Sequence, residues 1–331
     1  MEAALRQLLE LGDERALDAR WDRALGAVEA YTLRPAKRIR PLLLIAGYGL
    51  ARPATRVPRG LWQFAASLEL LHTFLLVHDD VADGASMRRG EAALHCLLGA
   101  GRKGEDLAIV VGDHLFARAL EGMLLSGLPR AGDAVRYWLR TCRSTAVGQF
   151  LDLELTGARL ADVTLFDTIK VAMLKTARYT FVAPLVSGGM LGGADRGILR
   201  VLERIGRHLG IAFQLRDDLL GLFGDAGTTG KSSESDLESG KPTFPVVAAY
   251  LRAPRTVRSE LETLWAAARQ EAAARAAVRS LVEHYGGRAA AERAIARATR
   301  GARRGLETLP GSTRWHALLR DLMHRLPDRS S

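Results

Sequence analysis

The sequence contains no asparagine, and only two cysteines and six lysines occur among its 331 residues. The absence of asparagine excludes N-glycosylation sequons. Two cysteines, Cys96 and Cys142, are too few for a disulfide framework, so we expect buried free thiols and a reducing cytoplasm. No stretch approaches 18 uncharged apolar residues, and the N-terminus lacks the cationic head and apolar block of a signal peptide. The sequence therefore predicts a soluble protein.

Arginine dominates the basic residues, because only six of the 47 are lysine, and the formal net charge is +10. Most of the excess lies in residues 251–331, where 16 arginines face 8 acidic residues. Such a charge makes nucleic acid or an anionic membrane worth considering as a partner. We interpret the tail as a solvated arginine-rich helical surface, with weak peripheral membrane contact as a hypothesis. Positions that keep lysine in this background are informative.

Apolar residues recur at three- and four-residue spacing, and the alternation typical of strands is scarce. The abundance of alanine, leucine, arginine and glutamate also favours helices. The sequence therefore predicts an all-α protein with one large helical domain, 1–331, and a polar loop at 226–242 that is long enough to be an active-site lid. The predicted helices cover residues 2–31, 40–49, 61–82, 105–125, 131–156, 165–188, 198–223 and 244–251, with several more after residue 258.

An acidic cluster ends one of the predicted apolar helices. Asp79 and Asp83 are one turn apart and share a face of the helix, with Asp80 between them. The two carboxylates repel each other, and a divalent cation would relieve that repulsion. Oxygen ligands favour Mg²⁺, which is held by one or two carboxylates together with substrate phosphates. Arg88 and Arg89 could bind phosphate oxygens; the alternative is a solvated acidic helix end.

A second acidic pair, Asp217 and Asp218, lies near the end of the predicted helix 198–223. It directly precedes the polar loop, which carries Lys231 and Lys241. Taken alone, this segment leaves a structural and a catalytic interpretation equally open. The presence of both acidic pairs in one helical chain favours the catalytic interpretation.

The ordered motifs resemble those of the trans-prenyl diphosphate synthase (polyprenyl synthetase) family, whose two aspartate-rich motifs face each other across the cavity of an all-helical fold. Besides the two acidic pairs, the resemblance rests on Arg34 to Pro41, Glu69 to His72, Gly90 to His95, Val111 to Leu115, Gly148 to Asp152, Leu174 to Ala177, Phe213 with Gln214, and Gly230 to Pro245. Four of the six lysines, Lys37, Lys175, Lys231 and Lys241, fall on these motifs. We place Lys103 and Lys170 on the surface.

The resemblance implies the isoprenoid synthase fold, a homodimer, and condensation of isopentenyl diphosphate with an allylic diphosphate, without a nucleic-acid partner. Three Mg²⁺ ions would stabilise the departing diphosphate. The implied metal ligands are Asp79, Asp80, Asp83, Asp217 and Asp218, and the implied catalytic residues are Asp79, Asp83, Asp217, Lys175 and Lys231. The implied substrate-binding residues are Lys37, Arg40, His72, Arg88, Arg89, Thr176, Gln214 and Lys241.

Product length should depend on Phe74 and Leu75, which lie about one turn before the first acidic motif, toward the floor of the implied cavity. An aromatic residue at this place limits elongation in the family, so we predict a C20 product, geranylgeranyl diphosphate, with the C15 product as the alternative. One position departs from the family pattern, because Gly221 stands where many members have the last aspartate of the second motif. Asp217 should still reach a metal, and nothing in the sequence shows that Asp225 compensates.

Three other functions remain open at this point. A terpene cyclase shares the fold and the first motif, but its usual second metal motif contains asparagine, which this chain lacks. A non-catalytic subunit of a heteromeric prenyl synthase generally loses the first motif, which is retained here. A nucleic-acid-binding helical protein would account for the charge and would bind with strong salt dependence, but the motifs do not need it.

Overall fold

The computed structural model describes residues 1–10, 13–52, 56–224, 234–310 and 314–325. Helices dominate these ranges, as predicted. They are α1 (Glu2–Glu10), α2 (Ala19–Leu33), α3 (Ile39–Ala51), α4 (Arg59–Ala82), α5 (Leu94–Leu98), α6 (Gly101–Leu124), α7 (Ala131–Leu155), α8 (Leu165–Val171), α9 (Ala183–Leu191), α10 (Arg196–Phe223), α11 (Ser235–Ser239), α12 (Phe244–Arg252), α13 (Arg255–Ala268), α14 (Ala272–His284), α15 (Gly287–Glu307) and α16 (Arg314–Arg325). Short 3₁₀ turns occur at Asp13–Ala16 and Leu160–Asp162.

Helix α4 runs through the main core and brings the first acidic motif to one end of it. Its residues Leu61, Phe64, Leu68 and Leu71 recur at helical spacing and are completely buried, as an apolar helix face in a core requires. Among the described residues, this helix is long and apolar enough to cross a membrane, although 61% of its most apolar window is buried inside the protein. The sequence predicts no segment that resembles a membrane-spanning helix, and α4 meets that description by length and hydropathy, yet it packs as a core helix.

Helix α10 carries the second acidic motif and packs on α15 and on a helix over Ala172–Val182. The backbones approach closely because glycines lie at the contacts. A side chain on Gly210 would overlap Ala177, and one on Gly148 would lie 2.8 Å from the carbonyl carbon of Leu174. The Ala172–Val182 helix is therefore closely packed between α7 and α10.

The predicted helix over residues 165–188 is divided into three parts. α8 is followed by a π-helix over Ala172–Val182, and α9 continues from it. Helices of this type are rare and are frequently found at functional sites. A 3.6-residue apolar period does not reveal the wider turn, so the sequence did not predict it. The π-helix carries Lys175 and Thr176.

Two further predictions of secondary structure are wrong. The helix predicted over residues 2–31 breaks, because Asp18 accepts a hydrogen bond from the backbone N–H of Arg20 (2.7 Å) and starts α2. The predicted loop 226–242 contains the short helix α11.

The prediction that both cysteines are buried is wrong for one of them. Cys96 is exposed, whereas Cys142 is half-buried, and both are free thiols.

A two-stranded hairpin, β1 (Met87–Arg88) with β2 (Glu91–Ala92), follows α4 and was not predicted. Gly90, at φ 78°, makes its turn. Arg34 is buried behind the hairpin and donates hydrogen bonds to the backbone oxygens of Arg88 (3.1 Å) and Ala92 (2.9 Å). The hairpin therefore has a fixed position beside the end of α4.

Candidate active site

The first acidic motif lies at the C-terminal end of α4. Asp79 is half-buried and Asp83 is exposed, and the backbone N–H of Asp83 donates to the backbone oxygen of Asp79 (2.8 Å). Although part of Asp83 is exposed to solvent, the surrounding protein removes some of its hydration, and this desolvation together with the negative charge of Asp79 raises the pKa of Asp83 above its ordinary value. The two carboxylates therefore act on each other, as their helical spacing predicts.

Asp80 has different surroundings from its two neighbours. It is fully buried, and its oxygens accept hydrogen bonds from the hydroxyl of Tyr31 (2.8 Å) and from Nε of Arg88 (2.7 Å). Direct metal binding by Asp80, as predicted, would require one of these bonds to break. Likewise Arg88, predicted to bind phosphate, is already held by Asp80, with Asp79 at 3.8 Å.

Lysine side chains from distant parts of the chain meet beside the first motif. Nζ of Lys175, on the π-helix, lies 3.4 Å from Oδ1 of Asp79 and donates to Oδ2 of Asp152 (2.7 Å). Nζ of Lys241 donates to the same Asp152 oxygen at 2.8 Å. Burial opposes ionisation of Asp152, but the charges of Lys241 and Lys175 outweigh burial and lower the pKa of its carboxyl. Conversely, although burial disfavours a charged Lys241, the charge of Asp152 raises its pKa.

The second acidic motif is joined to the π-helix by hydrogen bonds. The hydroxyl of Thr176 donates to Oε1 of Gln214 (2.6 Å), and Nε2 of Gln214 donates to Asp218 (2.9 Å). Burial is the main reason that the pKa of Asp218 rises to about 7, and the charges of Asp236 and Asp217 add to it against the Gln214 hydrogen bond. Hydrogen bonds through both Oε1 and Nε2 therefore fix the orientation of the Gln214 amide.

One cavity brings most of these groups together. Its lining residues are Asp152, Leu155, Thr168, Val171, Ala172, Lys175, Thr176, Gln214, Asp218, Lys241, Pro242 and Thr243. Four predicted binding or catalytic residues and one predicted metal ligand thus share a cavity, although they come from three separate segments. Lys231 and Asp225 lie outside the described residues.

A second group of basic side chains lies on α3 and α4. Arg40 donates to the hydroxyl of Thr180 (2.8 Å), and its guanidinium lies 5.0 Å from the ring centroid of Tyr179. His72 lies nearby, with its ring 6.3 Å from that of Tyr179. Burial and the neighbouring arginines, Arg40 first, hold the pKa of His72 well below its usual value, so its imidazole is neutral. Within the described ranges, Nε of Arg40 and Nδ1 of His72 are buried without a hydrogen-bond partner.

The start of α3 is fixed by a buried ion pair. Arg38 has a left-handed backbone (φ 45°) and donates to Glu69 on α4 (2.7 Å) and to the backbone oxygen of Thr32 (2.9 Å). Glu69 is only 2% exposed. This pair sets the direction in which α3 presents Arg40, whereas Lys37 and Arg89 are exposed.

Aromatic rings lie below the first motif. Phe74 is half-buried and lies 5.1 Å from Phe116 and 4.7 Å from His78, between ring centroids. Gly112 makes room for His78, because a Cβ there would overlap the imidazole. Leu75 packs partly buried against the same core. Phe74 thus packs against α6 about one turn before the first motif, and its role and that of Leu75 as a floor stay a prediction.

The donor set suits Mg²⁺. The candidate ligands are carboxylate oxygens, and in the part of the chain that the structure describes no three acidic, histidine or cysteine side chains converge tightly enough to hold an ion alone. Mg²⁺ usually retains waters and takes substrate phosphates as further ligands, so such an incomplete protein set fits it.

Comparison with known proteins decides the family. The polyprenyl synthetase family model matches residues 22–284. The chain belongs to the polyprenyl synthetase family. It is a prenyltransferase of the short-chain trans-prenyl diphosphate synthase type, and it has the all-α isoprenoid synthase fold of that family.

Individual relatives of this polyprenyl synthetase agree. A geranylgeranyl diphosphate synthase of Mycobacterium tuberculosis is 40% identical over 206 residues, which cover 61% of this chain and 56% of that protein. A short chain isoprenyl diphosphate synthase of Methanothermobacter thermautotrophicus is 33% identical over 319 residues, 95% of this chain and 94% of that protein. Other relatives are named farnesyl and geranylfarnesyl diphosphate synthase, so the names leave product length open.

The fold has a close match among solved structures. A geranylgeranyl pyrophosphate synthase from Corynebacterium glutamicum, complexed with isoprenyl diphosphate and magnesium, matches with a TM-score of 0.89 at 28% identity. The match covers 99% of this chain and 97% of that one. Magnesium dependence is therefore a property of the family to which this chain belongs.

Three residues of this polyprenyl synthetase site were not predicted from the sequence as functional. Asp152 links Lys175 to Lys241, Tyr31 holds Asp80, and Arg38 fixes the start of α3. Asp152 and Arg38 lie within quoted motifs, so the motif context was a usable signal. Tyr31 has no such signal. Lys103 and Lys170 are exposed, as expected.

Proposed function

We propose that this chain joins isopentenyl diphosphate head to tail with allylic diphosphates and releases geranylgeranyl diphosphate (C20). The observation that carries this proposal is the meeting of Asp79, Lys175, Asp152 and Lys241 within hydrogen-bond or ion-pair distance. Acidic groups for metal ions and ammonium groups for phosphate oxygens are adjacent there, and a departing diphosphate needs both.

The allylic diphosphate would bind between the two acidic motifs. Asp79, Asp83 and Asp217 would hold three Mg²⁺ ions, which supply positive charge to the leaving group. Lys175 and Lys231 add ammonium charges, and a unit charge at 4 Å is worth about 4 kcal/mol at an effective dielectric near 20. Because several such charges act together, they can offset a large part of the ionisation barrier.

We assign roles to the remaining residues around this diphosphate. Asp80 acts by holding Arg88 beside Asp79, and Asp218 lines the cavity as a further acidic group. Lys241 binds Asp152 and adds a further ammonium group beside that of Lys175.

The second diphosphate, that of isopentenyl diphosphate, would bind to Lys37, Arg40, His72 and Arg89. Nε of Arg40 and Nδ1 of His72 support this assignment, since buried polar atoms without a partner in the described structure are costly unless a ligand satisfies them. A neutral His72 can donate one hydrogen bond to a phosphate oxygen. No carboxylate pair lies among these four residues, so this diphosphate would be bound without being ionised.

The allylic cation would form next to Thr176 and Gln214, which line the cavity. Their side-chain oxygens, or nearby backbone carbonyls, would stabilise its positive charge. The double bond of isopentenyl diphosphate attacks the cation and forms the new carbon–carbon bond. The released diphosphate would then accept the proton that restores the double bond.

Product length would be limited by the ring pair of Phe74 and Phe116. A chain growing from the first motif toward the core meets Phe74 first, with Leu75 beside it, and its extension requires these side chains to move. This arrangement favours C20 over the C15 alternative, because Phe74 is one turn below the motif rather than next to it.

We also propose that the enzyme acts in the cytoplasm as a homodimer. Exposed apolar side chains follow one face each of α6 and α7, and a second copy could cover them: Leu107, Val110, Leu124, Leu139, Val147, Phe150 and Leu153. On α15 the arginines at 293, 297, 300, 303 and 304 are exposed, which supports the solvated basic surface and leaves weak contact with an anionic membrane as part of the proposal.

The decisive experiment incubates the enzyme with isopentenyl diphosphate and dimethylallyl, geranyl or farnesyl diphosphate, with Mg²⁺ or with EDTA. Chromatography of the dephosphorylated products should show C20 alcohol only with Mg²⁺. Failure to elongate any primer would overturn the proposal. Cyclic hydrocarbons would instead indicate a terpene cyclase, and activity that appears only after a second subunit is added would indicate a non-catalytic partner.

A further inference from the structure

The β1–β2 hairpin carries Arg89, one of the proposed ligands of isopentenyl diphosphate, but the hairpin has no core of its own. Each strand has two residues, and none of the six residues Met87–Ala92 is buried. A two-stranded hairpin by itself is at best marginally stable in water. Contacts from outside the hairpin must therefore fix its position.

Arg89 has a backbone conformation that its surroundings must maintain. It forms the turn together with Gly90, and both have positive φ, 55° and 78°, as a two-residue turn between right-twisted strands requires. Glycine adopts such a φ readily, whereas a residue with a Cβ rarely does. Residues held in this conformation cluster at active sites and ligand-binding turns.

The guanidinium of Arg34 supplies contacts behind this turn. Its Nη1 donates to the backbone oxygen of Arg88 (3.1 Å) and its Nη2 to that of Ala92 (2.9 Å). Its Nε lies 3.3 Å from the carboxylate of Glu91, and its centre lies 4.7 Å from the ring centroid of Tyr31. Only 5% of the Arg34 side chain is exposed. One buried, planar group thus contacts both strands of the hairpin.

The backbone of Arg34 belongs to the segment that carries the other basic groups of the same proposed subsite. Its carbonyl oxygen accepts a hydrogen bond from Nη2 of Arg38 (3.4 Å), which fixes the start of α3. Lys37 and Arg40 follow in the same segment. Arg34 therefore connects the hairpin of Arg89 with the segment of Lys37 and Arg40 through a buried contact.

We propose that Arg34 is a positioning residue for the second diphosphate, and that it sets the spacing between Arg89 on the hairpin and Arg40 on α3. This inference rests on the proposed function. A diphosphate has a fixed size, so cations that bind it from two elements must keep a matching distance. In support, burial and then the charges of Arg40 and Arg89 lower the pKa of His72, so both arginines act on one region of the site.

The two arginines of the hairpin should respond differently to the loss of Arg34. The side chain of Arg88 is bonded to Asp80 on α4 (2.7 Å), and this contact does not involve Arg34. The position of Arg89 depends instead on the turn at the end of the hairpin. Displacement of the hairpin should therefore weaken binding of isopentenyl diphosphate and largely spare the allylic diphosphate.

Calorimetry with isopentenyl diphosphate in EDTA measures binding to the second subsite without turnover. Arg34→Ala and Arg34→Lys should each weaken this binding about 10-fold, the size seen when partners that orient binding groups are lost. The lysine keeps the charge but lacks the planar guanidinium, so it separates geometry from charge. Arg23→Ala, at an exposed arginine of α2, is the matched control and should bind like wild type. Circular dichroism checks the fold of each variant.

A double-mutant cycle tests whether Arg34 acts through Arg89. Arg89→Ala alone should weaken binding about 10-fold or more, because a charge-assisted hydrogen bond is lost. Adding Arg34→Lys should then change binding by no more than about threefold, since no Arg89 side chain remains to be misplaced.

Steady-state kinetics separates positioning from a merely structural role. Arg34→Lys should raise KM for isopentenyl diphosphate, while KM for the allylic substrate stays close to that of wild type. A merely structural role would lower kcat through a smaller folded fraction and would leave both KM values unchanged.

Two results would overturn the inference: Arg34→Lys that binds isopentenyl diphosphate like wild type, or losses that multiply in the double variant. If the wild-type enzyme elongates primers while either result holds, only the role of Arg34 is lost. If the wild type binds isopentenyl diphosphate but elongates no primer, the proposed function is lost, and calorimetry still decides on Arg34. A wild type that neither elongates nor binds would overturn both.

Discussion

Oδ2 of Asp152 accepts hydrogen bonds from both Lys175 (2.7 Å) and Lys241 (2.8 Å). One buried carboxylate oxygen thus holds two ammonium groups that lie 66 residues apart in the chain. Lys175 belongs to the π-helix and Lys241 to the segment after α11, so Asp152 joins two walls of the cavity. Without it, the two like charges would repel each other.

Asp152→Asn should lower kcat by about 10- to 100-fold, in line with the loss of partners that orient charged groups in active sites. The amide keeps the shape but removes the negative charge, so the pKa of Lys241 should fall and its position should relax. Steady-state kinetics with Mg²⁺ measures the effect. Glu154→Gln, an exposed acid on the same helix, should change kcat little, and equal activity of the two variants would contradict the role of Asp152.

Phe74→Ala should lengthen the product beyond C20, because it opens the floor below the first motif. Phe116→Ala should allow a further increase when combined with it, since the two rings are in contact. Reverse-phase chromatography of the dephosphorylated products measures chain length. Phe166→Ala, at a side chain that is 72% exposed, controls for the loss of a phenyl ring, and an unchanged product profile in Phe74→Ala would refute this floor.

The stability of the metal-free protein should depend on pH through Asp218. Its pKa is about 7 in the folded protein and 3.8 ordinarily, so between these values the folded state holds a proton that the unfolded state lacks. The free energy of unfolding must then fall as pH rises through this window, by at most about 1.4 kcal/mol per pH unit.

Urea unfolding of wild type and Asp218→Asn in EDTA, at several pH values from 5 to 8, checks this dependence. The amide does not titrate, so the wild-type free energy of unfolding should decline relative to that of the variant as pH rises. Parallel curves for the two proteins would show that Asp218 ionises normally. Other carboxyl groups, including Asp83, contribute to both proteins and largely cancel in the comparison.

Glu69→Ala should destabilise the fold by about 3 kcal/mol, the low end for breaking a buried ion pair, because the guanidinium of Arg38 loses its buried partner and keeps only the exposed Glu2 (3.2 Å). Chemical denaturation measures the free energy of unfolding. Glu121→Ala breaks a pair with Arg118 in which the glutamate is 57% exposed, and it should cost at most about 1 kcal/mol. If both substitutions lowered the free energy of unfolding by similar amounts, burial of the Arg38–Glu69 pair would not increase its contribution to stability.

The sequence predicted the helical class and most of the groups around the cavity, because both rest on local patterns. Apolar spacing predicted α4, α6, α7 and α10 to within a few residues. The motifs predicted that Lys175, Thr176, Gln214 and Lys241 serve one site, and the cavity lining confirms that they come together. That the chain forms one domain stays a prediction, as do the individual catalytic roles.

Other features depend on long-range packing and were not predicted. The π-helix lies where Gly148 and Gly210 allow α7 and α10 to pack closely on Ala172–Val182, and a local sequence period does not report such long-range contacts. The pairing of Asp80 with Tyr31 joins residues 49 positions apart. From spacing alone, Asp80 is indistinguishable from Asp79 as a ligand, yet the tertiary structure gives the two carboxylates different partners.

The buried acidic group at Asp218 has a consequence for the lifetime of the enzyme. Its raised pKa means that the empty site stores unfavourable free energy at neutral pH, and any ligand that neutralises the site stabilises the folded state by mass action. The enzyme loaded with Mg²⁺ and diphosphate substrate should therefore resist heat and proteolysis better than the empty enzyme.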